Sequence, residues 1–220
     1  MRPLTPFGQS DRAALNTIVN TIVTRRLTSA ECSEFNVGYA HRRGSAMRGT
    51  LASMVDSNVR AELRIATITV SDTRTESNDA GGKKLRDLVL AAGFVLGPYA
   101  IVKDEPEQIR AALEQCAQAK VDVVVLTGGT GIAPRDQTYE AIEGLLEKRL
   151  DGFGEAFRRL SWEQIGPKAI LSRAVAGTWR GMIVAALPGS PAALSIGFTD
   201  VLAPVLTHAI GLLRAVPAKG

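Results

Sequence analysis

From Arg64 onward, short β-branched runs alternate with stretches in which apolar residues recur every three to four positions. That alternation predicts parallel strands joined by crossover helices. Ile65 to Val70 (IATITV) reads as the first strand, the polar stretch Ser71 to Gly82 as a loop, and Lys83 to Ala92 as a helix. A second strand is expected near Tyr99 to Val102, and a helix beginning around Asp104 places Ile109, Leu113 and Cys116 on one buried face. Val121 to Leu126 (VDVVVL) suits burial on both sides and is predicted at the sheet centre. Further helices are expected at Thr138 to Lys148 and Phe153 to Glu163. Ser172 to Ala176 and Met182 to Leu187 flank the turn-like Gly177-Thr178-Trp179-Arg180-Gly181 and read as a β-hairpin at the sheet edge. After Pro188-Gly189-Ser190-Pro191, a helical region runs to Arg214 with a break near Pro204. The predicted fold class is α/β, a three-layer domain with a mostly parallel sheet and an antiparallel edge hairpin.

Residues 1–60 lack this pattern, apart from a candidate amphipathic helix around Ala13 to Leu27, and are expected to form a poorly ordered extension to a domain over residues 61–220. No long apolar region followed by a small-residue cleavage site marks them as a secretory signal. Met47 and Met54 stand just before the regular pattern, and either is a candidate biological start. Hydrophobic residues make up 45% of the chain and charged residues 22%, as in an ordinary globular protein. Its apolar stretches are broken by Thr, Asn, Gly or Arg short of the roughly 20 residues a membrane span needs, so no span is expected. Cys32 and Cys116 match no metal-ligand spacing and are too few for a disulfide framework, which makes a cytoplasmic location the expectation. The net charge of +4 raises nucleic acid as a partner, but its location argues otherwise. Residues 1–60 carry 8 Lys plus Arg against 4 Asp plus Glu, and the remainder carries 18 of each. No nucleic-acid partner is expected of so balanced a domain.

The strongest local signal is Gly128-Gly129-Thr130-Gly131, between a buried strand and a helix. Glycines there bring backbone N–H groups close to a ligand, and the helix start favours negative charge, so the loop suits an anion. A tight strand-to-helix turn is the competing reading. Asp136 could cap the next helix or hold a divalent cation beside phosphates, and Arg135 could contact phosphate or be solvated. Asp104 with Glu107 resembles a capping box, yet it also follows a strand. Ligands of open α/β sheets bind outside the carboxyl ends of the strands. Ser71, Asp72, Asp104, Gly128 to Asp136 and Pro188 to Ser190 would share that edge, which suits a phosphorylated ligand with Mg²⁺. Ser172-Arg173 could reach a phosphate or edge the sheet. His41 and His208 are isolated, and Cys116 lies on an apolar helix face.

Together the run TGGTGIAPRDQTYEAI, VSD at the end of the first strand, DAG in the following loop, LSRAVAG before the hairpin and LPGSPAAL after it resemble the MogA/MoaB family of molybdenum cofactor biosynthesis. The resemblance covers about Arg64 to Arg214 and implies a molybdopterin-binding α/β domain that assembles as a homotrimer. It further implies that AMP passes from ATP to molybdopterin, using Mg²⁺, with release of pyrophosphate, and that the product goes on to a molybdate insertase. By motif, Asp136 and Asp104 match the family's two functional acidic, metal-associated positions. Gly128, Gly129, Thr130 and Gly131 match the ligand-cradling loop, and Ser71, Asp72, Asp79, Gly189 and Ser190 match binding-loop positions. Arg135, Ser172, Arg173 and Pro188 are carried as candidate substrate contacts. Ala133-Pro134-Arg135-Asp136 resembles the adenylyltransferase form of the loop more than the E-G-D form of some MoaB proteins. The alternative is a molybdopterin-binding or scaffold trimer that does not adenylylate.

Overall fold

The computed structural model describes residues 62–215. The candidate helix at Ala13 to Leu27, the candidate starts Met47 and Met54, and the proposed extension lie outside the described residues.

β1 (Arg64–Val70) leads to α1 (Ala80–Ala91), β2 (Val95–Val102), α2 (Pro106–Gln118) and β3 (Val123–Thr127). α3 (Thr138–Glu143), β4 (Lys148–Arg149), α4 (Asp151–Ile165) and a 3-10 turn (Gly166–Leu171) follow. The hairpin β5 (Val175–Trp179) and β6 (Met182–Leu187) precedes a continuous helix, α5 (Pro191–Arg214). The sheet order is β2-β1-β3-β6-β5-β4. β2, β1, β3 and β6 run parallel, and β5 and β4 are added antiparallel in turn. The mostly parallel sheet with antiparallel strands at one edge is the expected class.

Successive side chains on a strand face opposite sides, and β3 uses both. Val123 and Val125 join α1, α4 and α5 in one core through Leu85, Phe157, Phe198 and Leu206. Val124 and Leu126 join α2 and α3 in the other through Ile109, Leu113 and Ile142. Those two cores make the three layers.

Several boundaries depart from the expected ones. β2 begins four residues earlier than expected, because Gly97-Pro98 is absorbed at a register shift against β1 and does not form a turn. The helix expected over Thr138 to Lys148 stops at Glu143, and Lys148–Arg149 pairs with β5 as the outer strand. The hairpin turn is only Arg180-Gly181, both at positive φ as a two-residue turn requires, so Gly177, Thr178 and Trp179 belong to β5. No break occurs at Pro204: the helix runs through it, with π geometry over Ser195–Leu202 widening the turns where a proline ring would crowd a carbonyl.

That helix also corrects the apolar-run argument. Its 24 residues, with mean hydropathy 1.6, are long and apolar enough by length and composition to cross a membrane. Leu194, Ile196, Phe198, Leu202, Leu206 and Ile210 are instead spent on the core. The helix lies so close to β6 that a Cβ on Gly197 would overlap the buried Leu187 side chain. Gly197→Ala is therefore expected to destabilise the fold by about 1–3 kcal/mol in urea unfolding, the usual cost of overpacking.

Candidate functional site

Parallel strands deliver their carboxyl ends to one edge, and the loops there hold one another. Gly128 N–H donates to Leu187 O at 3.0 Å, joining the loops after β3 and β6. Asp104 N–H reaches Asp72 Oδ1 at 3.4 Å, joining those after β1 and β2. Gln137 N–H donates to Asp104 Oδ1 at 2.9 Å, which ties the β2 loop to the start of α3. The four expected loops meet, and Arg173 reaches in from the segment just ahead of β5.

The GGTG loop is built around glycine. Gly128 and Gly129 adopt φ of +104° and +61°. A Cβ on Gly128 would overlap Val70 O, and one on Gly129 would stand 2.5 and 2.6 Å from the two Asp104 carboxylate oxygens. The N–H groups of Gly129, Thr130 and Gly131 have no hydrogen-bond partner among the described residues, although Thr130 is buried. Consecutive free amides of this kind form an anion-binding concavity.

Asp104 is not the helix cap that its spacing suggested. α2 starts at Pro106 after Glu105, and no side chain caps it. The Asp104 carboxylate turns across to Gln137, where burial and the like charges of Asp136 and Asp72 hold it above the usual aspartate range against that hydrogen bond and Arg135. A carboxylate so crowded gains from a cation. Asp136 Oδ2 accepts from Ala133 N–H at 2.9 Å, which folds the carboxylate over Gly131. Arg135 is exposed but not free: it grips Asp72 with two nitrogens at 2.7 and 2.8 Å and reaches Glu105 at 3.4 Å. That hydrogen-bonded guanidinium is the main reason the Asp72 carboxyl lies below its ordinary value. Among the described residues no three His, Cys, Asp or Glu side chains group closely enough to hold a metal alone. Mg²⁺, which commonly takes one or two carboxylates together with substrate phosphates, fits Asp104 and Asp136 on those terms.

Residues 66–208 match the family described as "Probable molybdopterin binding domain". The chain belongs to that family. It is a molybdenum cofactor biosynthesis protein of the MoaB type, 44% identical over 152 residues to molybdenum cofactor biosynthesis protein B of Staphylococcus carnosus, with 68% of this chain and 89% of that one covered. The crystal structure of a molybdenum cofactor biosynthesis protein B superposes with a TM-score of 0.67 at 42% identity, covering 70% of this chain and 96% of that one. The tungsten cofactor synthesizing protein MoaB from Pyrococcus furiosus gives 0.64 at 35% identity, covering 70% and 98%.

In this family member, two of the carried-over positions sit behind the ligand loops. Asp79 is buried, and it caps α1 by accepting from Gly82 N–H at 2.8 Å. It also accepts from Thr69 Oγ1 and Tyr99 Oη, both at 2.6 Å. Burial pushes its carboxyl up, and those three donors together outweigh burial, so it lies below the usual value. Its stabilising contribution is therefore fully present above the ordinary aspartate pKa of 3.8 and fades as pH falls through its lower folded value. Asp79→Asn is expected to lower stability by about 1–3 kcal/mol at pH 7 and to flatten the pH dependence of unfolding below pH ~4.

Arg173 donates to Gly131 O at 2.8 Å and to Asp136 O at 3.1 Å, pairs with Glu140 and stacks on Tyr139. It braces the GGTG loop against α3. Ser172 Oγ accepts from Ala174 N–H, and Ser190 caps α5 by accepting from Ala193 N–H. Ser71 Oγ accepts from Thr73 N–H at the mouth of the β1 loop. Gly189 packs beside Gly128, and Pro188 O accepts from Thr127 Oγ1.

Sequence reasoning missed a cavity of about 250 Å³ between Thr130-Gly131, Pro188 and Ser190, α4 and the start of α5. Phe157 and Ser161 of α4 line it. The spacing of Phe153, Phe157 and Ser161 at four-residue intervals was the only signal available, and it reads equally as a core face.

Proposed function

We propose that this protein transfers AMP from ATP to molybdopterin. A terminal phosphate oxygen of molybdopterin attacks the α-phosphorus of ATP, the bond to the β-phosphate bridge breaks, and pyrophosphate leaves. The observation that carries this reading is the run of unpartnered Gly129, Thr130 and Gly131 amides flanked by Asp104 and Asp136 at the carboxyl edge of four parallel strands.

Two anions must be brought together, so the site has to neutralise charge and fix an in-line approach more than it has to supply a nucleophile. Mg²⁺ would supply charge neutralisation on the phosphates, held by Asp136 and Asp104. The GGTG amides hold a phosphate, and Arg135, exchanged from Asp72, adds a positive group to the same edge. Arg173, Asp79, Ser172 and Ser190 fix the loops on which these groups stand. Ser71, Asp72, Pro188 and Gly189 border the entrance. The reading includes a homotrimer in the cytoplasm that hands its product to a molybdate insertase. Exposed Trp162, Ile170, Val205 and Leu212 supply apolar surface that such an assembly would cover.

The test is pyrophosphate release from the purified chain with molybdopterin, ATP and Mg²⁺. Release that requires molybdopterin is expected. Tight molybdopterin binding without release would replace transfer by the scaffold reading.

A further inference from the structure

We propose that Thr138 is a positioning residue for the phosphate site: with Arg173 it takes up the carbonyls of Gly128 to Gly131 and so turns the amides that follow them toward the ligand. The proposal rests on the reading of the GGTG loop as a phosphate site and assigns what holds that loop in its binding form.

Four hydrogen bonds carry it. Thr138 Oγ1 donates to Gly128 O at 2.8 Å, and Thr138 N–H donates to Gly129 O at 3.0 Å. Arg173 N–H donates to Thr130 O at 2.9 Å, and its Nε donates to Gly131 O at 2.8 Å. In a trans peptide the carbonyl of one residue and the N–H of the next point in opposite directions, and the described residues contain no cis bond. With these carbonyls drawn to Thr138 and Arg173, the N–H groups of Gly129, Thr130, Gly131 and Ile132 face the other way. None of the four has a hydrogen-bond partner among the described residues.

Two further observations separate this from an ordinary strand-to-helix turn. A threonine hydroxyl at a helix start commonly serves the N–H groups of its own helix. That of Thr138 reaches back ten residues instead, the residue is fully buried, and α3 begins without a side-chain cap. Gly129 is fitted to it, because a Cβ there would overlap Thr138 Oγ1. The brace extends to the carboxylates. Arg173 Nη2 donates to Asp136 O at 3.1 Å, and across that peptide Gln137 N–H donates to Asp104 Oδ1. An anion on the outward amides polarises the same peptides and strengthens the bonds behind them.

The test is titration of molybdopterin, and of ATP with Mg²⁺, into the full chain, read by calorimetry and by the amide resonances of the loop. Thr138→Val keeps the shape and removes the hydroxyl, Thr138→Ser keeps the hydroxyl, and thermal melts establish that both are folded. The ligand whose phosphate lies on the loop is expected to move the resonances of Gly129 to Ile132. It should bind Thr138→Val on the order of tenfold more weakly and return to within about twofold of wild type in Thr138→Ser. Equal affinity of folded Thr138→Val and wild type, or equal weakening in the valine and serine variants, overturns the proposal and leaves the phosphate site standing. Arg173→Lys, which keeps the charge and cannot serve Gly131 O and Asp136 O together, decides where valine is not tolerated: unchanged affinity there overturns the proposal. No binding of either ligand, or binding that leaves the four resonances unmoved, overturns the phosphate reading and the proposal with it. Hydroxyl-dependent affinity without any pyrophosphate release keeps the role of Thr138 and removes only AMP transfer.

Discussion

Asp136→Ala is expected to lower molybdopterin-dependent pyrophosphate release by about a hundredfold or more, the scale on which a single group that stabilises transition-state charge is felt. The fold should survive. Asp136 lies in an exposed loop, its carboxylate makes a single hydrogen bond to Ala133 N–H, and its backbone carbonyl still receives Arg173 after truncation. Circular dichroism and urea unfolding should match the wild type, and the loss should appear in turnover. Retained release in this variant would remove Asp136 from the chemistry.

Gly128→Ala is expected to fail differently, losing stability and ligand binding together. The added methyl would overlap Val70 O, a backbone atom of a central strand that cannot rotate away, and the φ of +104° is strained for any side chain. Strain and overpacking together predict a loss of about 2–5 kcal/mol in urea unfolding. Anion binding would fall with it, because Gly128 sets the direction from which the next three amides leave the strand. Wild-type stability in Gly128→Ala would mean that the loop can take another path.

These two positions also mark what could be read without a structure. β1, β3 and the GGTG loop were legible because their signals are local: four valines in six residues, and glycines directly after a strand. The shared edge followed from strand direction alone. Asp104 was legible as a strand-end acid but not in its contacts, since its partner Gln137 is 33 residues away and only the fold brings them together. Arg173 offered the same difficulty. Its targets Gly131 and Asp136 are 42 and 37 residues distant, and a lone arginine before a strand carries no sign of that reach. Pro204 was misread for another reason: proline marks a break in an isolated segment, whereas here a widened helix accommodates it. The cavity left no trace because it belongs to the gap between α4, α5 and two loops and not to any one of them.

On the proposed reading, the Arg135 bridge to Asp72 means that an entering phosphate meets a guanidinium already engaged and not an idle cation. An anion that takes the whole guanidinium has to outbid a carboxylate seated with two hydrogen bonds, and that carboxylate must then find another positive charge. Chloride or a lone carboxylate brings nothing to offer Asp72. A polyphosphate accompanied by a dication relieves both halves of the bridge in a single exchange. Discrimination of that sort acts at the threshold, before any chemistry, and favours ligands by the company in which they arrive.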